Sequence, residues 1–353
     1  MKFEVSVAPM VGVSTPEYRK FMQIVSPGSL VFTEMVVDTS LIYMSSSVLE
    51  RKIGLPSPQC VLQVGGSNPE SLSKAVARAV ALGYRQVNLN CGCPSDRVQS
   101  GRFGAVLMKR PKDIAEIVQR VYVDTGVVMS VKCRVGVDNT ETYATFKEMV
   151  QTIAELSPCR TFYVHARSCL LNGLSPAENR SIPPLKYHYV FQLKKDLPHL
   201  RVILNGGLRQ IEEIAAVRES VDGVMLGRKP MDDPMFFARI EESILQRAPV
   251  SISVAIQAYL KTLPERVFER ERFFVLDAPS QPPQPPATPE HTPHLCTYAD
   301  LKPIEPALHG QRGCKEFKRT ISELARRKAP VTDIWPSIKG FVGGVSVSVG
   351  MGG

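Results

Sequence analysis

Residues 61–90 read VLQVGGSNPESLSKAVARAVALGYRQVNLN and contain an apolar run, a helical pattern and a second apolar run. The two runs, 61–64 and 87–90, are short and rich in Val and Leu, which is typical of strands buried on both faces. Between them, Asn68-Pro69-Glu70 is a typical helix start, because proline is well tolerated in the first helical turn. The stretch therefore predicts a strand, a crossover helix and a second parallel strand.

Similar units recur through the N-terminal two-thirds of the chain. Eight apolar runs, each separated from the next by enough residues for a helix, occupy residues 3–8, 30–34, 61–64, 87–90, 128–134, 161–165, 202–205 and 223–226. Eight units in roughly 240 residues fit a closed (β/α)8 barrel. The alternative, a doubly wound open sheet, is disfavoured because no G-x-G-x-x-G follows the first run and no G-x-x-x-x-G-K-[ST] occurs.

Polar or glycine residues follow six of these runs at the point where each strand should end. A barrel of this kind places its active site at the carboxyl-terminal ends of its strands. The pattern therefore predicts a site built from Gln63, Asn90, Lys132, His165, Asn205 and Gly227-Arg228.

The strand pattern stops after about residue 250, and helical stretches at 252–263 and 315–327 predict a small all-α domain. We expect a catalytic barrel domain at 1–245, a helical domain at 246–335 and a Gly-rich tail at 336–353. Residues 278–293 carry seven prolines with Ser, Gln and Thr, and this composition predicts an extended insertion within the helical domain.

The composition favours a polyanionic partner. The chain has 43 Lys+Arg against 34 Asp+Glu, a net charge of +9. Its eight cysteines follow no recognisable secretory signal, so we expect free thiols. No apolar run reaches the roughly 18 residues of a membrane span, so we expect a soluble protein with no membrane association. We also expect a cytoplasmic location and a monomeric state. An organelle stays open if a transit peptide has been removed.

The densest motif is Asn88-Leu89-Asn90-Cys91-Gly92-Cys93-Pro94-Ser95. Together with Ala8-Pro9-Met10, Lys132-Cys133-Arg134, His165-Ala166-Arg167 and Asn205-Gly206-Gly207, it resembles the tRNA-dihydrouridine synthases in order and spacing over the whole barrel. Residues 173–180 resemble the bacterial subgroup that acts on D-loop uridines 20 and 20a. The resemblance implies FMN as cofactor, NADPH or NADH as reductant and tRNA as substrate.

Cys93 is the candidate proton donor. Saturating the uracil C5–C6 bond requires a hydride at C6, which a flavin supplies, and a proton at C5. A thiol, with an ordinary pKa of about 8.5, keeps its proton at neutral pH and can give it to a developing enolate. The resemblance implies the same role, against the alternative of a small buried hydrophobic residue. Cys91 is interpreted as a bystander, and the lack of a second Cys/His pair disfavours a metal site.

Three side chains are predicted to face the flavin ring. An ammonium group inside an apolar run is costly unless it faces an anion, and a reduced flavin beside Lys132 is such an anion. Gln63 can both donate to and accept from the pyrimidine edge of the ring. His165 can donate to the ring or to the phosphate, or it is a hydrogen-bonded core histidine.

The flavin phosphate needs backbone N–H groups without side-chain bulk, and barrels commonly place this site after strands seven and eight. Arginine there offers a planar fork suited to phosphate. We assign the phosphate to Asn205, Gly206, Gly207, Gly227 and Arg228. The loop after the first strand, Pro9-Met10-Val11, is predicted to lie beneath the flavin.

RNA recognition is predicted outside the barrel mouth. Residues 312–328 carry seven Lys/Arg against two Glu, and such a helix can follow phosphates or can simply be a solvated face. Lys315 and Lys318 share a helix face at i, i+3. The resemblance implies that this pair grips tRNA and that Arg180 and Asn90 make further RNA contacts.

Two other functions fit part of the pattern. An FMN barrel that reduces a small molecule would need no basic helical domain. A non-catalytic RNA-binding protein of the same fold would need neither Cys93 nor Lys132.

Overall fold

The computed structural model describes residues 2–138, 142–273 and 294–342, with side chains of the middle range described up to residue 263. The chain divides into two compact units that interleave in sequence. The barrel unit comprises Met1–Ser14, Gly28–Met44 and Ile53–Gly227, and the helical unit comprises Thr15–Pro27, Ser45–Lys52 and Arg228–Gly353. These units do not coincide with the linear boundary expected after residue 245.

Eight parallel strands close the barrel unit, which confirms the predicted (β/α)8 fold. They are β1 (Glu4–Val7), β2 (Leu30–Phe32), β4 (Cys60–Gly65), β5 (Gln86–Cys91), β6 (Ser130–Arg134), β7 (Thr161–His165), β8 (Arg201–Asn205) and β9 (Gly223–Leu226), with a two-residue strand β3 (Val36–Val37) beside β4. Each strand pairs with the next, and the ring closes where β1 pairs with β9. The pairing of Phe32 with Val61 joins β2 to β4.

Helices alternate with these strands. They are α2 (Asp38–Tyr43), α4 (Pro69–Ala81), α5 (Asp96–Ser100), α6 (Pro111–Thr125), α7 (Tyr143–Leu156), α8 (Tyr187–Asp196) and α9 (Ile211–Val217), with 3-10 helices at Gly104–Lys109 and Glu178–Arg180. The α4 start is as predicted, because the Asn68 side chain accepts from the Ser71 N–H and Pro69 follows it. Helix α6 ends at Gly126, whose φ of 71° few other residues adopt readily.

The barrel interior is filled by side chains rather than open. Ala8, Phe32, Val61, Tyr163, Ile203 and Met225 form one buried cluster. The Phe32 and Tyr163 rings meet edge to face at 5.0 Å between centroids. A packed interior leaves the carboxyl-terminal ends of the strands as the place for a site.

The helical unit contains both predicted C-terminal helices. Its helices are α1 (Pro16–Val25), α3 (Ser46–Ile53), α10 (Arg228–Asp232), α11 (Phe236–Ser243), α12 (Ile252–Phe273), α13 (Tyr298–Leu301), α14 (Cys314–Arg326) and α15 (Val331–Val342), with a 3-10 helix at Glu305–Leu308. Helix α12 packs against α1 and α15, and the rings of Phe21 and Tyr259 meet at 5.5 Å.

The C-terminal helices extend further than the sequence pattern indicates. Helix α15 continues to Val342 despite Pro336, because Ile334, Ile338 and Val342 repeat every fourth residue and are buried together. Residues 336–342 of the expected tail are therefore helical. The expected insertion at 278–293 and residues 343–353 lie outside the described residues.

Across the residues that the structure describes, no helix has both the length and the apolar character needed to cross a bilayer.

Candidate active site

A row of amide side chains links β4 and β5 inside the barrel unit. Gln63 Nε2 donates to Asn88 Oδ1 at 2.8 Å, and Asn90 Nδ2 donates to Gln63 Oε1 at 2.9 Å. Gln63 is only 1% exposed. Each amide keeps one hydrogen or lone pair beyond these bonds. The network therefore orients the side-chain amides of Gln63 and Asn90, and each amide can still form a hydrogen bond with a ligand.

Asn90 also shapes the loop that carries Cys93. Its Oδ1 accepts from the N–H groups of Gly92 at 3.1 Å and Cys93 at 3.0 Å. The Cys93 carbonyl accepts from the Ala105 N–H at 2.9 Å. Gly104 has a φ of 67°, and a Cβ there would lie 2.6 Å from the Cys93 carbonyl oxygen. Loop 91–105 is thus held at both sides of Cys93, and Gly104 is required for the close approach.

The two cysteines of this loop have different surroundings. The Cys93 thiol is partly exposed and donates to Ser95 Oγ at 3.5 Å. Cys91 is fully buried, and this burial, with the Cys133 and Cys159 thiols nearby, raises its pKa well above the ordinary value. Cys91 is therefore a core residue, and Cys93 is the partly exposed thiol of the two.

Lys132 faces the barrel interior from β6, where it pairs in register with Asn90 of β5. It is the middle residue of the strand rather than its end, because β6 continues through Arg134. Its Nζ donates to Asn205 Oδ1 at 3.0 Å. Burial of the ammonium group and the nearby positive charge of Arg134 lower its pKa to about 8. An anion placed beside Lys132 would relieve this unfavourable burial.

Two glycines after β8 form a cradle. Gly206 and Gly207 have φ values of 112° and 82°, in the region that favours glycine. A Cβ on Gly206 would lie 2.6 Å from His165 Cδ2, and one on Gly207 would lie 2.5 Å from Leu185. Within the described part of the chain, no protein group accepts from their two N–H groups. The cradle can therefore present backbone donors to an anion.

The loop after β1 is anchored at its base and open at its tip. Ser14 Oγ donates to the Ala8 carbonyl at 3.1 Å and accepts from the Met10 N–H at 3.0 Å. Pro9 and Met10 are partly buried, whereas Val11 is 81% exposed. A Cβ on Gly227 would lie 3.4 Å from Met10 Sδ, so the ends of β1 and β9 are close.

Arg134 is a residue of this site to which the sequence analysis gave no role. It is 3% exposed, and its Nε donates to the Gly92 carbonyl while its Nη1 donates to the Ser168 and Asn179 carbonyls, each at 2.9 Å. The available signal was a charged residue inside a strand that is otherwise buried, since such a group must find partners.

The residues assigned to RNA fall in both units. Arg180 is exposed on the barrel unit, immediately after the buried Asn179. Lys315 and Lys318 lie on α14, which buries Phe317, Ile321 and Leu324; Lys315 is exposed and Lys318 is half-buried. Within the described residues neither lysine forms an ion pair. Arg228 is the first residue of α10 in the helical unit.

A closed parallel barrel with a reachable thiol, a desolvated lysine and a glycine cradle at its strand ends has the features of a flavin-binding oxidoreductase. The family model described as dihydrouridine synthase (Dus) matches residues 6–272. The chain belongs to this family, whose members are flavin-dependent oxidoreductases.

Relatives support this membership along most of the chain. A tRNA-dihydrouridine(20/20a) synthase of Xylella fastidiosa is 43% identical over 250 residues, which is 70% of this chain and 74% of that protein. One of Xanthomonas campestris is 36% identical over 327 residues, covering 91% of this chain and 88% of the relative. One of Escherichia coli is 37% identical over 72% of this chain and 75% of its own length.

A solved structure shares the fold alone. The complex of 2-naphthoyl-CoA reductase with 2-naphthoyl-CoA matches with a TM-score of 0.50 at 12% identity. The match covers 68% of this chain and 50% of that chain.

Proposed function

We propose that the chain is a tRNA-dihydrouridine(20/20a) synthase that uses FMN and NADPH or NADH to reduce D-loop uridines 20 and 20a. The observation that carries the proposal is the placement of Cys93. Its thiol is partly exposed on a loop fixed by Asn90, and Asn90 pairs in register with Lys132. This arrangement supports a role for Cys93 as proton donor beside a cation that could hold an anionic cofactor.

The residues present fit FMN. The N–H groups of Gly206 and Gly207 can donate to the phosphate. A Cβ at either position would clash with a neighbouring side chain, so glycine is needed at both. Lys132 and Gln63 can meet the polar edge of the ring, and His165 lies against the Gly206 backbone. Pro9, Met10 and Val11 would lie beneath the ring, and Asn205 would hold Lys132 in place. Gly227 is a further proposed phosphate ligand on the barrel unit, and Arg228, which belongs to the helical unit, stays a prediction from the sequence. Bound FMN would supply the hydride to uracil C6.

The chain's own residues provide the proton and the base contacts. Cys93 Sγ gives its proton to C5, and the resulting thiolate is protonated again from water, with Ser95 Oγ at 3.5 Å available as a relay. The second Nδ2 hydrogen of Asn90 remains for a uracil carbonyl. Because the thiol keeps its proton until hydride arrives, reduction of the flavin by NADPH requires no action by Cys93.

Exposed cations are proposed to bind the RNA. Arg180 on the barrel unit and Lys315 and Lys318 on the helical unit are assigned to phosphates of the tRNA. NADPH and tRNA are proposed to occupy the flavin face in turn. Cytoplasmic location and a monomeric state remain predictions.

The test is reduction of an unmodified tRNA transcript by the purified protein with NADPH. Mass spectrometry of nuclease fragments should locate dihydrouridine at positions 20 and 20a. Free uridine should turn over far more slowly, because it lacks the phosphates that the basic residues contact. A protein that purifies without a flavin spectrum, or one that reduces free uridine as fast as tRNA, would contradict the proposal.

A further inference from the structure

One buried arginine joins two loops at the mouth of the barrel. The Arg134 guanidinium donates to the carbonyl of Gly92, on loop 91–105, and to the carbonyls of Ser168 and Asn179. Ser168 and Asn179 belong to segment 166–186, which follows β7 and carries Arg180. The loop of the proposed proton donor and the segment of the proposed RNA contact therefore share one charged side chain.

A second side chain bridges the same two segments. Gln99, on α5, uses Nε2 to donate to the Pro94 carbonyl and to the Leu171 carbonyl, both at 2.8 Å. Pro94 follows Cys93 directly, and Leu171 lies in segment 166–186. Two bridges, at Gly92 and at Pro94, thus lie one residue to either side of the thiol.

Segment 166–186 is itself firmly held where the bridges attach. The fully buried Asn179 accepts from the Leu170 N–H at 2.8 Å and donates to the Leu170 and Leu174 carbonyls. Asp138 Oδ1 accepts from the Leu171 N–H at 3.0 Å. Arg180 is the next residue after Asn179. Because the hydrogen bonds of Asn179 fix its position, a shift of the Arg180 backbone on RNA binding would also move the residues that Arg134 and Gln99 contact.

We propose that Arg134 and Gln99 are positioning residues that couple RNA contact at Arg180 to the placement of the Cys93 thiol. The inference rests on the proposed function. Proton delivery to C5 needs the thiol within hydrogen-bond reach of the base, and a displacement of about 1 Å costs about 10²-fold in rate. Reduction of the flavin by NADPH does not use the thiol and is unaffected by its position.

The test compares the two half-reactions in Arg134→Lys and Gln99→Leu. In Arg134→Lys the charge remains but the fork that reaches both loops is lost. Flavin reduction by NADPH should stay within about twofold of wild type. Reoxidation by saturating tRNA should fall about 10²-fold in Arg134→Lys, where the replaced side chain makes three hydrogen bonds, and about 10-fold in Gln99→Leu, where it makes two. The flavin content of both variants should match wild type.

Arg180→Ala then tests whether Arg134 couples RNA contact at Arg180 to the Cys93 thiol or only stiffens the Cys93 loop. In the wild-type background it should raise KM for tRNA and also lower kcat, because the Cys93 loop loses a constraint. In the Arg134→Lys background it should still raise KM, but it should lower kcat much less, because only the Gln99 bridge then links this segment to the Cys93 loop. An equal effect on kcat in both backgrounds would overturn the coupling.

Arg160→Lys is the matched control. Arg160 also donates through Nη1 to three carbonyls, those of Ala154, Ser157 and Cys159, but it precedes β7 and lies at the other end of that strand. Its replacement should leave both half-reactions unchanged. Wild-type reoxidation in Arg134→Lys, or an equal loss of both half-reactions, would overturn the inference. Failure of the wild-type protein to reoxidise on tRNA would instead contradict the proposed function.

Discussion

Replacing Lys132 with Met should show how much the buried ammonium group lowers the free energy of unfolding. Burial and the charge of Arg134 lower the pKa of Lys132 from 10.5 to about 8. A lowered lysine pKa means that the folded state favours the neutral amine. The ammonium form therefore opposes folding below pH 8, and this penalty fades as the pH rises from about 8 towards 10.5.

The size of the effect follows from these two pKa values. One pKa unit corresponds to about 1.4 kcal/mol, so the penalty is about 3 kcal/mol at pH 7 and about 1 kcal/mol at pH 10. The Met variant carries no such penalty. The stability of wild type relative to the variant should thus increase by about 2 kcal/mol between pH 7 and pH 10. Contributions that do not depend on the protonation state of Lys132, such as lost packing of its aliphatic chain, are equal at both pH values and cancel in this comparison.

Urea unfolding of the two flavin-free proteins at both pH values, followed by circular dichroism, measures this difference. Carbon-13 NMR of labelled lysine side chains should find one lysine titrating near pH 8, absent in the variant. FMN binding, followed by flavin fluorescence, should weaken by at least about 10-fold, since the proposed anion loses its cation. An equal difference in unfolding free energy at pH 7 and pH 10 would refute the reasoning.

Three further predictions concern the donor, the cradle and the RNA contact. Cys93→Ala should keep flavin reduction by NADPH but lose dihydrouridine formation by about 10² to 10⁴, as measured by stopped flow with tRNA as oxidant. Gly207→Ala should purify with little FMN by absorbance, because its Cβ would meet Leu185 and a φ of 82° strains alanine. Lys315→Glu with Lys318→Glu should weaken tRNA binding in gel shifts and reduce the log–log salt slope by just under one unit per lost contact.

Each of these three predictions has a control. Cys91→Ala should retain tRNA-dependent reoxidation, and a dead Cys91 variant would show that the wrong thiol has been assigned. Gly126→Ala meets the same type of strain at a φ of 71° with no neighbour within 4 Å, so it should keep its FMN. The double lysine variant should oxidise NADPH normally, and unchanged affinity with an unchanged salt slope would remove α14 from the RNA contact.

The sequence predicted the barrel and the ends of β7 and β8 at His165 and Asn205, because both depend on local patterns, but Gln63 and Lys132 lie inside their strands and not at the ends. Apolar runs separated by helical patterns identify buried parallel strands, and a strand end is read from the residue that stops the run. The partners of those residues depend on register between strands that are distant in sequence. The bonds that Asn90 donates to Gln63 and that Lys132 donates to Asn205 are of this kind.

The contacts of Arg134 and the division into two interleaved units also depend on residues that are distant in sequence, so the sequence did not predict them. An arginine within a strand signals that partners must exist, but its three carbonyl acceptors lie 34 to 45 residues away in two loops. Likewise, the apolar face of α1 predicts burial but not the partner. Its packing against α12 joins segments from opposite sides of the barrel sequence.

The pairing of α1 with α12 has a consequence for how the protein is made. The apolar face of α1, which includes Tyr18, Phe21 and Met22, leaves the ribosome before seven of the eight barrel strands. Its partner Tyr259 follows only after every barrel strand has been made. At about 5–20 residues per second this delay lasts roughly 12 to 50 s. During that time the apolar face of α1 has no α12 to pack against. Chaperones bind exposed amphipathic segments of this kind on nascent chains, and proteases cleave them if elongation stalls.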